Sequence, residues 1–225
     1  KKELGHLRSI IKKKKRPFTL IVGGSKIGSK IHILKSFLGI ADNILIGGGM
    51  AFPFIKNNGG EIGQSICVDD ELTIVSEFLK TAKDYSTKII LPTDAFAVER
   101  IEKVDTIKLL DIYKIPKNFM GVDIGQKSIN KFKEIISISN SILWNGPMGV
   151  AEVREYSIGT RKIAEYVSQA TENDSYTVVG GGDTVSDISR FGLKSKFSYV
   201  STGGGAMLEY FKKNKLETTA ELKDL

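Results

Sequence analysis

Six short apolar runs, rich in isoleucine and valine, alternate along this chain with amphipathic stretches of helical length. Each run is typical of a strand that is buried on both faces, as the strands of a parallel sheet are. The runs occupy residues 18–22, 44–46, 88–91, 141–144, 176–179 and 197–200, and the amphipathic stretches occupy residues 29–38, 70–85, 127–138 and 157–171. The alternation predicts an α/β fold: a Rossmann-like, three-layer, doubly wound parallel sheet with helices on both faces.

Glycine-rich turns follow four of these six runs, at once or within two residues. They are Gly23-Gly24, Gly47-Gly48-Gly49, Gly180-Gly181-Gly182 and Gly203-Gly204-Gly205. In an open parallel sheet these turns share the carboxyl edge, and the helices that follow direct their amide groups and positive dipole ends towards it. The repetition favours an anionic ligand, such as a nucleotide. The alternative is a set of tight strand-to-helix turns that bind nothing.

The net charge of +7 is concentrated in the first 16 residues. This segment holds eight basic residues and one acidic residue, whereas the rest of the chain holds 25 of each. Its apolar residues recur at helical spacing, so we expect an amphipathic helix over residues 1–16 that Pro17 ends. The five cations at 12–16 are either a solvated helix end or a polybasic contact. Because no basic face extends over the remaining chain, we expect no nucleic-acid partner.

Length and composition exclude several other classes of protein. The 225 residues show no linker and no shift in composition, so we expect a single domain over residues 1–225. No apolar run reaches the roughly 18–20 residues of a membrane helix, so we expect no membrane partner. The single cysteine, Cys67, excludes an internal disulfide and fits the reducing cytoplasm. Two histidines and one cysteine argue against a zinc site.

Two lysines follow the first glycine turn at a spacing of four residues. If Lys26 and Lys30 lie on a helix, both ammonium groups are on one side and suit the phosphates of a nucleotide; a solvated helix face is the alternative. Residues 23–28 have the glycine spacing of a P-loop, but Ser29-Lys30 stands in the wrong order, and no strand-linked G-x-G-x-x-G occurs. A nucleotide would therefore be bound by residues that form neither of these two motifs.

Polar side chains follow other strands and turns. Asp183 and Thr184 follow the third glycine turn, where the aspartate is either a helix cap or a ligand of Mg²⁺ beside bound phosphates. Asn145 ends a strand and either reaches a phosphate oxygen or makes its own turn. Glu152 is either a surface residue or an acceptor for ribose hydroxyl groups. The placement of these residues beside glycines, after strands, favours the binding roles as a set.

Eight segments, taken in order, extend this pattern over nearly the whole chain. They are KKEL at 1–4, RPFTLIVGGSK at 16–26, ILIGGGMAF at 44–52, EIGQS at 61–65, IPKNFMGVDIG at 115–125, SILWNGPMGV at 141–150, TVVGGGDT at 177–184 and VSTGGGAMLE at 200–209. The ordered set resembles the C-terminal, nucleotide-binding domain of phosphoglycerate kinase. That family comprises monomeric, two-lobed glycolytic kinases, which move a phosphoryl group reversibly from 1,3-bisphosphoglycerate to Mg-ADP and so give 3-phosphoglycerate and ATP.

The resemblance implies that this chain is the ADP/ATP-binding lobe, with Mg²⁺ as its cofactor. The N-terminal lobe, which holds phosphoglycerate in the family, is expected to be absent. The chain alone is then expected to be a monomer that binds nucleotide without turnover. A non-catalytic nucleotide-binding or scaffold module, derived from the same domain, is the alternative.

The resemblance also implies a role for each matching position. Lys26 and Lys30 would hold the nucleotide phosphates, with Lys30 nearer the transferring group. Asp183 would bind Mg²⁺, with Thr184 and the turn at Gly182 beside the phosphates. Asn145 would reach the phosphate chain and Glu152 the ribose.

Two further sets complete the implied site. The apolar adenine slot would be formed by Gly23, Gly24, Gly48, Gly49, Gly121, Val122 and Val150. Charge on the phosphoryl group in transfer would be stabilised by the amides of Gly203, Gly204 and Gly205. Ser29, Ala151 and Met207 depart from the family pattern, which usually has aspartate, an aromatic residue and serine at these positions.

Overall fold

The computed structural model describes residues 15–201. Its main sheet contains the six expected strands, and all neighbouring strands in it are parallel. Numbered in chain order, they are β1 (Phe18–Val22), β2 (Asn43–Ile46), β4 (Lys88–Ile90), β9 (Ser141–Asn145), β10 (Tyr176–Gly180) and β11 (Tyr199–Ser201). The spatial order is β11-β10-β9-β1-β2-β4. The expected helix of the basic segment and the turn at 203–205 fall outside the described residues.

Six α-helices accompany these strands within residues 15–201. They are α1 (Ile31–Ser36), α2 (Ala51–Asn57), α3 (Asp69–Ala82), α4 (Gln126–Ser137), α5 (Ile158–Glu172) and α6 (Gly182–Arg190). Apolar residues of α1, α2 and α3 pack on one face of the sheet, and those of α4, α5 and α6 pack on the other. The predicted three-layer, doubly wound architecture is confirmed.

The central strand β1 contributes to both cores because successive side chains point to opposite faces. Leu20 and Val22 pack towards α1–α3, whereas Ile21 packs towards α4–α6. All five residues of β1 are buried. Burial on both faces explains why this strand is a continuous apolar run in the sequence rather than an alternating one.

Five further strands form two small sheets that the sequence patterns did not predict. They are β3 (Glu61–Ile62), β5 (Asp94–Val98), β6 (Lys108–Asp111), β7 (Lys114–Ile115) and β8 (Met120–Ile124). β5 pairs antiparallel with β6 and β8, and β3 pairs parallel with β7. Phe52 and Ile55 of α2 join apolar residues from this region in a third buried cluster.

The order of the main sheet reverses beside β1. From β1 the chain continues to β2 and β4 on one side, and it later occupies β9, β10 and β11 on the other. At such a switch point the connecting loops diverge and leave a crevice at the carboxyl ends of the strands. The loops that begin at Gly23 and Gly146 flank this crevice. Over residues 15–201, no helix has the length and apolar character required to cross a bilayer.

Candidate functional site

Main-chain hydrogen bonds join three loops at the carboxyl edge of the sheet. The amide of Gly24 donates to the carbonyl of Pro147 at 2.8 Å, and the amide of Gly48 donates to that of Met148 at 3.0 Å. Met50 donates to the carbonyl of Gly24 at 2.9 Å. The turns after β1, β2 and β9 therefore form one connected backbone structure at the switch point.

Gly48 shows why glycine is needed where these loops meet. Its φ is +64°, in the left-handed region that other residues rarely adopt. A Cβ at this position would lie 2.6 Å from the amide nitrogen of Gly24 and 2.8 Å from the carbonyl oxygen of Pro147. Both the backbone angle and the close approach of the three loops exclude a side chain here.

A cavity of about 530 Å³ opens beside these loops. This volume is within the range of small-molecule sites in proteins. Eight residues that the sequence analysis assigned to the site line it: Gly24, Gly48, Gly49, Gly121, Val122, Val150, Glu152 and Asp183. The carboxyl-edge loops and β8, which are far apart in sequence, thus share one cavity.

Lys30 lies beside this edge and is partly buried. Its ammonium nitrogen donates to the carbonyl of Gly23 at 2.8 Å and to that of Asn145 at 3.3 Å, across β1 and β9. Desolvation lowers the pKa of Lys30 to about 8, and the negative charge of Asp183 opposes this shift. The ammonium group is therefore held at the switch point, with a pKa well below the ordinary value of 10.5.

Lys26 differs from Lys30 in its surroundings. It is exposed and lies in the loop before α1, which begins only at Ile31. The helix expected over residues 29–38 is thus shorter, and the two lysines do not share a helical face. The cavity lining includes neither Lys26 nor Lys30, so the roles of both lysines in phosphate binding stay predictions.

Asn145 carries an unsatisfied buried donor at the end of β9. Its side-chain nitrogen, Nδ2, is buried and has no hydrogen-bond partner among residues 15–201. An unsatisfied polar group of this kind costs about 1–3 kcal/mol. The same nitrogen lies near Gly181, 3.1 Å from where a Cβ of that residue would be. An anion at this edge would satisfy the donor.

The N-terminus of α6 brings Gly182, Asp183 and Thr184 to the same edge. Asp183 is exposed and lines the cavity. Thr184 is buried, and its hydroxyl oxygen accepts a hydrogen bond from the amide of Gly146 at 2.7 Å. Thr184 thereby fixes the loop after β9 to α6, a structural role that the sequence analysis did not assign.

The donor set at this edge fits Mg²⁺ only together with phosphate. Within residues 15–201 there is no cluster of three or more histidine, cysteine, aspartate or glutamate side chains that could hold a metal. Mg²⁺, however, commonly takes one or two carboxylates and completes its octahedron with phosphate oxygens and water. Asp183, exposed at the cavity, is a suitable single carboxylate.

Part of the cavity wall is apolar and is formed by residues that the sequence analysis missed. These lining residues are Phe52, Pro92, Ala95, Ile101, Ile112 and Met120. The Phe52 ring lies so close to Gly121 that no Cβ would fit between them. The short apolar run at residues 95–98 was the sequence signal for this wall.

Asp123 is a buried carboxyl group that also lines the cavity. It accepts hydrogen bonds from the amide of Gly159 at 2.6 Å and from its neighbour Ile124 at 2.9 Å. Burial raises the pKa of Asp123 to about 8, although these hydrogen bonds oppose the rise. Because it accepts a hydrogen bond from the first turn of α5, we assign Asp123 to anchoring this helix rather than to binding a ligand.

The remaining residues that the sequence analysis assigned to the site either stabilise the loops at the carboxyl edge or lie outside the described residues. Gly23 is buried and its amide donates to the main-chain carbonyl of Asn145, so it supports the loops without lining the cavity. Residues 203–205 and Met207 are outside the described part of the chain. Their expected role in stabilising the transferring group stays a prediction.

Comparison with known proteins identifies the same family that the motifs indicate. A family model described as phosphoglycerate kinase matches residues 1–214. The phosphoglycerate kinase of Porphyromonas gingivalis is 42% identical over 208 residues, which are 92% of this chain and 50% of that protein. The phosphoglycerate kinase of Thermosipho africanus is 39% identical over 222 residues, which are 98% of this chain and 55% of that protein.

Solved structures give a matching result. The structure of phosphoglycerate kinase from Coxiella burnetii covers 98% of this chain with a TM-score of 0.89 at 31% identity, and the match spans 57% of that chain. The enzyme from Pyrococcus horikoshii gives a TM-score of 0.80 at 27% identity, with 98% of this chain and 56% of the other covered. The present chain spans about half the length of the curated relatives it matches. Because the family match extends over residues 1–214, the chain belongs to the phosphoglycerate kinase family.

Proposed function

We propose that this chain binds Mg-ADP or Mg-ATP in the cavity at the carboxyl edge of its sheet. The observation that carries the proposal is the convergence of the loops after β1, β2 and β9 and the N-terminus of α6 on one cavity of about 530 Å³. The edge offers amide groups and a cation, which suit phosphates. The cavity is also lined by Phe52, Val122 and other apolar groups, which suit a base.

Lys30 and Asn145 are the side chains that best suit the phosphate chain. The ammonium group of Lys30 has three N–H donors, and its contacts with Gly23 and Asn145 use two. The third is available to a phosphate oxygen. The unsatisfied Nδ2 of Asn145 is a second donor at this edge. A bound phosphate would therefore satisfy two donors.

We propose that Asp183 supplies the protein ligand of Mg²⁺. When bound, Mg²⁺ neutralises charge on the phosphate oxygens and helps to orient the transferring group. Asp183 lies at the start of α6 and close enough to Lys30 for its charge to influence the pKa of the lysine. In phosphoryl transfer, positioning and electrostatic stabilisation account for most of the catalysis, which is what such an edge supplies.

The reaction that this site would serve is reversible phosphoryl transfer between 1,3-bisphosphoglycerate and Mg-ADP in the cytoplasm. The chain spans about half of its curated relatives. We therefore propose that phosphoglycerate is bound by a second lobe outside these 225 residues, and that this chain alone binds nucleotide without turnover.

Isothermal titration calorimetry with Mg-ADP tests nucleotide binding. We expect saturable heat with the unaltered chain and at least tenfold weaker binding after Lys30→Met, because about 1.5–3 kcal/mol attaches to a hydrogen bond with a charged group. Lys35→Met is the matched control and should bind normally, because Lys35 is in the last turn of α1 and the contacts with Gly23 and Asn145 belong to Lys30. Absence of heat at millimolar Mg-ADP would refute the proposal.

A complementation assay tests the catalytic part of the proposal. The chain is mixed with the separately produced N-terminal half of a relative, and ATP formation from Mg-ADP and 1,3-bisphosphoglycerate is followed. We expect activity only from the mixture. Normal nucleotide binding without recovered activity would contradict the catalytic role and favour a non-catalytic binding module.

A further inference from the structure

Arg190, in the last turn of α6, connects that helix to the segment carrying Glu152. Its Nη2 donates to the carbonyl of Ala151 and, at 3.0 Å, to Oδ1 of Asp187 one turn earlier. Ala151 is buried, whereas the next residue, Glu152, is exposed and lines the cavity. The guanidinium group therefore holds the main chain directly before Glu152.

Asp187 fixes the orientation of this guanidinium group. Its carboxyl group is mostly buried, and its Oδ2 has no hydrogen-bond partner among residues 15–201. Desolvation raises the pKa of Asp187, Arg190 opposes the rise, and the charges of Glu152 and Asp183 add to it. Arg190 is thus the counter-charge of Asp187, a carboxyl group that also lies near the negative charges of Glu152 and Asp183.

A contact with an aromatic ring does not explain this arrangement. The guanidinium carbon of Arg190 lies 5.2 Å from the ring centre of Phe191, and that of Arg161 lies 4.7 Å from the same ring. Both arginines can make cation–π contacts there. Only Arg190 also bonds to Asp187 and to the carbonyl of Ala151.

We propose that Asp187 and Arg190 are positioning residues that hold Glu152 in place to accept hydrogen bonds from the ribose hydroxyl groups of the nucleotide. This inference rests on the proposed function. The nine-residue helix α6 would then serve both ends of the ligand, with Asp183 in its first turn at the phosphates and Arg190 in its last turn behind the ribose contact. One rigid element would set the distance between the two.

The readout is the preference for ADP over 2′,3′-dideoxy-ADP, which lacks both ribose hydroxyl groups. For the unaltered chain with Mg²⁺, we expect ADP to bind about tenfold more tightly, the effect of a hydrogen bond to a charged acceptor. Glu152→Gln should remove most of this preference. A merely structural role of the Asp187–Arg190 pair would weaken the binding of both nucleotides equally.

The test variant combines Asp187→Asn with Arg190→Gln, so that no buried carboxylate is left without its counter-charge. We expect its preference for ADP to fall to within about twofold of that of Glu152→Gln, while its affinity for dideoxy-ADP stays within about twofold of the original. Adding Glu152→Gln to it should change the preference no further. Arg161→Gln removes the other arginine at Phe191 and should keep the full preference.

The outcomes separate this inference from the proposed function. Normal ADP binding with an unchanged preference in the double variant would refute the inference alone, as would an equal loss for both nucleotides. No binding of ADP by the unaltered chain would refute the proposed function and the inference with it. Thermal unfolding of each variant identifies a fold defect, and Arg190→Lys, which retains a donor for Ala151, should then recover part of the preference if the inference is correct.

Discussion

At the scale of single residues, Lys26 and Lys30 show how location sets the chemistry of a side chain. They are the same residue type, four positions apart, yet Lys26 is exposed whereas Lys30 is partly buried against two carbonyl groups. Desolvation lowers the pKa of Lys30 to about 8. A pattern of charged residues cannot show this difference, because it depends on which strands lie beside the lysine.

The pKa of Lys30 predicts how nucleotide binding depends on pH. Below about 8 the lysine is charged and attracts phosphate, whereas above that value the free site loses the proton. We expect the affinity for Mg-ADP, measured by calorimetry, to be constant from pH 6 to 7 and to fall about tenfold by pH 9. The contribution of Lys30 to the free energy of unfolding should rise as the pH increases above about 8. The buried ammonium group destabilises the folded chain, and this cost disappears when the group loses its proton.

Two lysine-to-arginine variants control this prediction. Lys30→Arg keeps its charge over the whole range and should bind with a flat pH profile. Lys26→Arg should keep the profile of the unaltered chain, because Lys26 is exposed. A fall in affinity above pH 8 that persists in Lys30→Arg would assign the titration to another group.

Gly48 is a residue at which a single added methyl group should destabilise the fold. Gly48→Ala introduces a Cβ 2.6 Å from the nitrogen of Gly24 and forces alanine to adopt a φ of +64°. We expect a loss of about 1–3 kcal/mol in the free energy of unfolding, measured with urea, and weaker nucleotide binding. Gly28→Ala, where a Cβ meets no atom within 4 Å, is the control and should behave normally. Equal behaviour of the two variants would contradict the close packing of the loops.

At the scale of elements, the six parallel strands were predictable because burial on both faces leaves a continuous apolar run. The second set of strands was not. β5 (Asp94–Val98) and β8 (Met120–Ile124) pair antiparallel with a shift in register after Phe96, and their partners are fixed by tertiary contacts. The helix α2 (Ala51–Asn57) was also missed, since Pro53 and three preceding glycines conceal its helical spacing.

Two helices begin at carboxyl groups supplied by distant strands. Asp94 of β5 accepts hydrogen bonds from the amides of Lys127 at 2.9 Å and Ser128 at 2.8 Å, in the first turn of α4. Asp123 of β8 accepts one from Gly159 in the first turn of α5. Neither helix has a capping side chain at its own N-cap. Local sequence cannot predict caps whose partners are more than 30 residues away.

We predict that Asp94→Ala destabilises the chain strongly. The change leaves the amides of Lys127 and Ser128 in the first turn of α4 without their acceptor, so we expect a loss of about 2–3 kcal/mol in the free energy of unfolding, measured with urea. Asp84→Ala removes an equal charge from an exposed position and should cost less than about 0.5 kcal/mol. A small effect of Asp94→Ala would show that water replaces the cap.

At the scale of the whole molecule, the sequence predicted which residues meet at the carboxyl edge of the sheet, but it did not predict the apolar wall of the cavity. Glycine turns after parallel strands must meet at one edge, and Gly24, Gly48 and Asp183 do line one cavity. The apolar wall comes from the small antiparallel sheet and α2, which had no prediction of their own. Val122 and Gly121 were assigned to this wall only through the family resemblance.

Asp123 predicts that global stability falls as the pH rises. Its pKa is about 8 in the folded chain against an ordinary value of 3.8, so between these values the folded chain holds a proton that the unfolded chain releases. This residue alone should lower the free energy of unfolding by up to about 1.4 kcal/mol per pH unit from pH 5 towards 8. Urea unfolding at a series of pH values measures the slope.

The comparison with Asp123→Asn isolates this contribution, since asparagine does not titrate. We expect its unfolding free energy to vary less between pH 5 and 8 than that of the unaltered chain, whereas Asp84→Asn should reproduce the original slope. Parallel curves for the unaltered chain and Asp123→Asn would mean that the buried carboxyl group is ionised throughout this range.

The main-chain bonds between Gly24, Pro147, Gly48 and Met148 have a consequence for the kinetics of ligand capture. Loops that are already tied to one another need not be ordered when a ligand arrives, so association pays little conformational entropy. The rate of encounter should then be governed by diffusion and by attraction to the ammonium group, and should decline as salt screens that attraction. Differences in affinity among ligands would appear in their residence times.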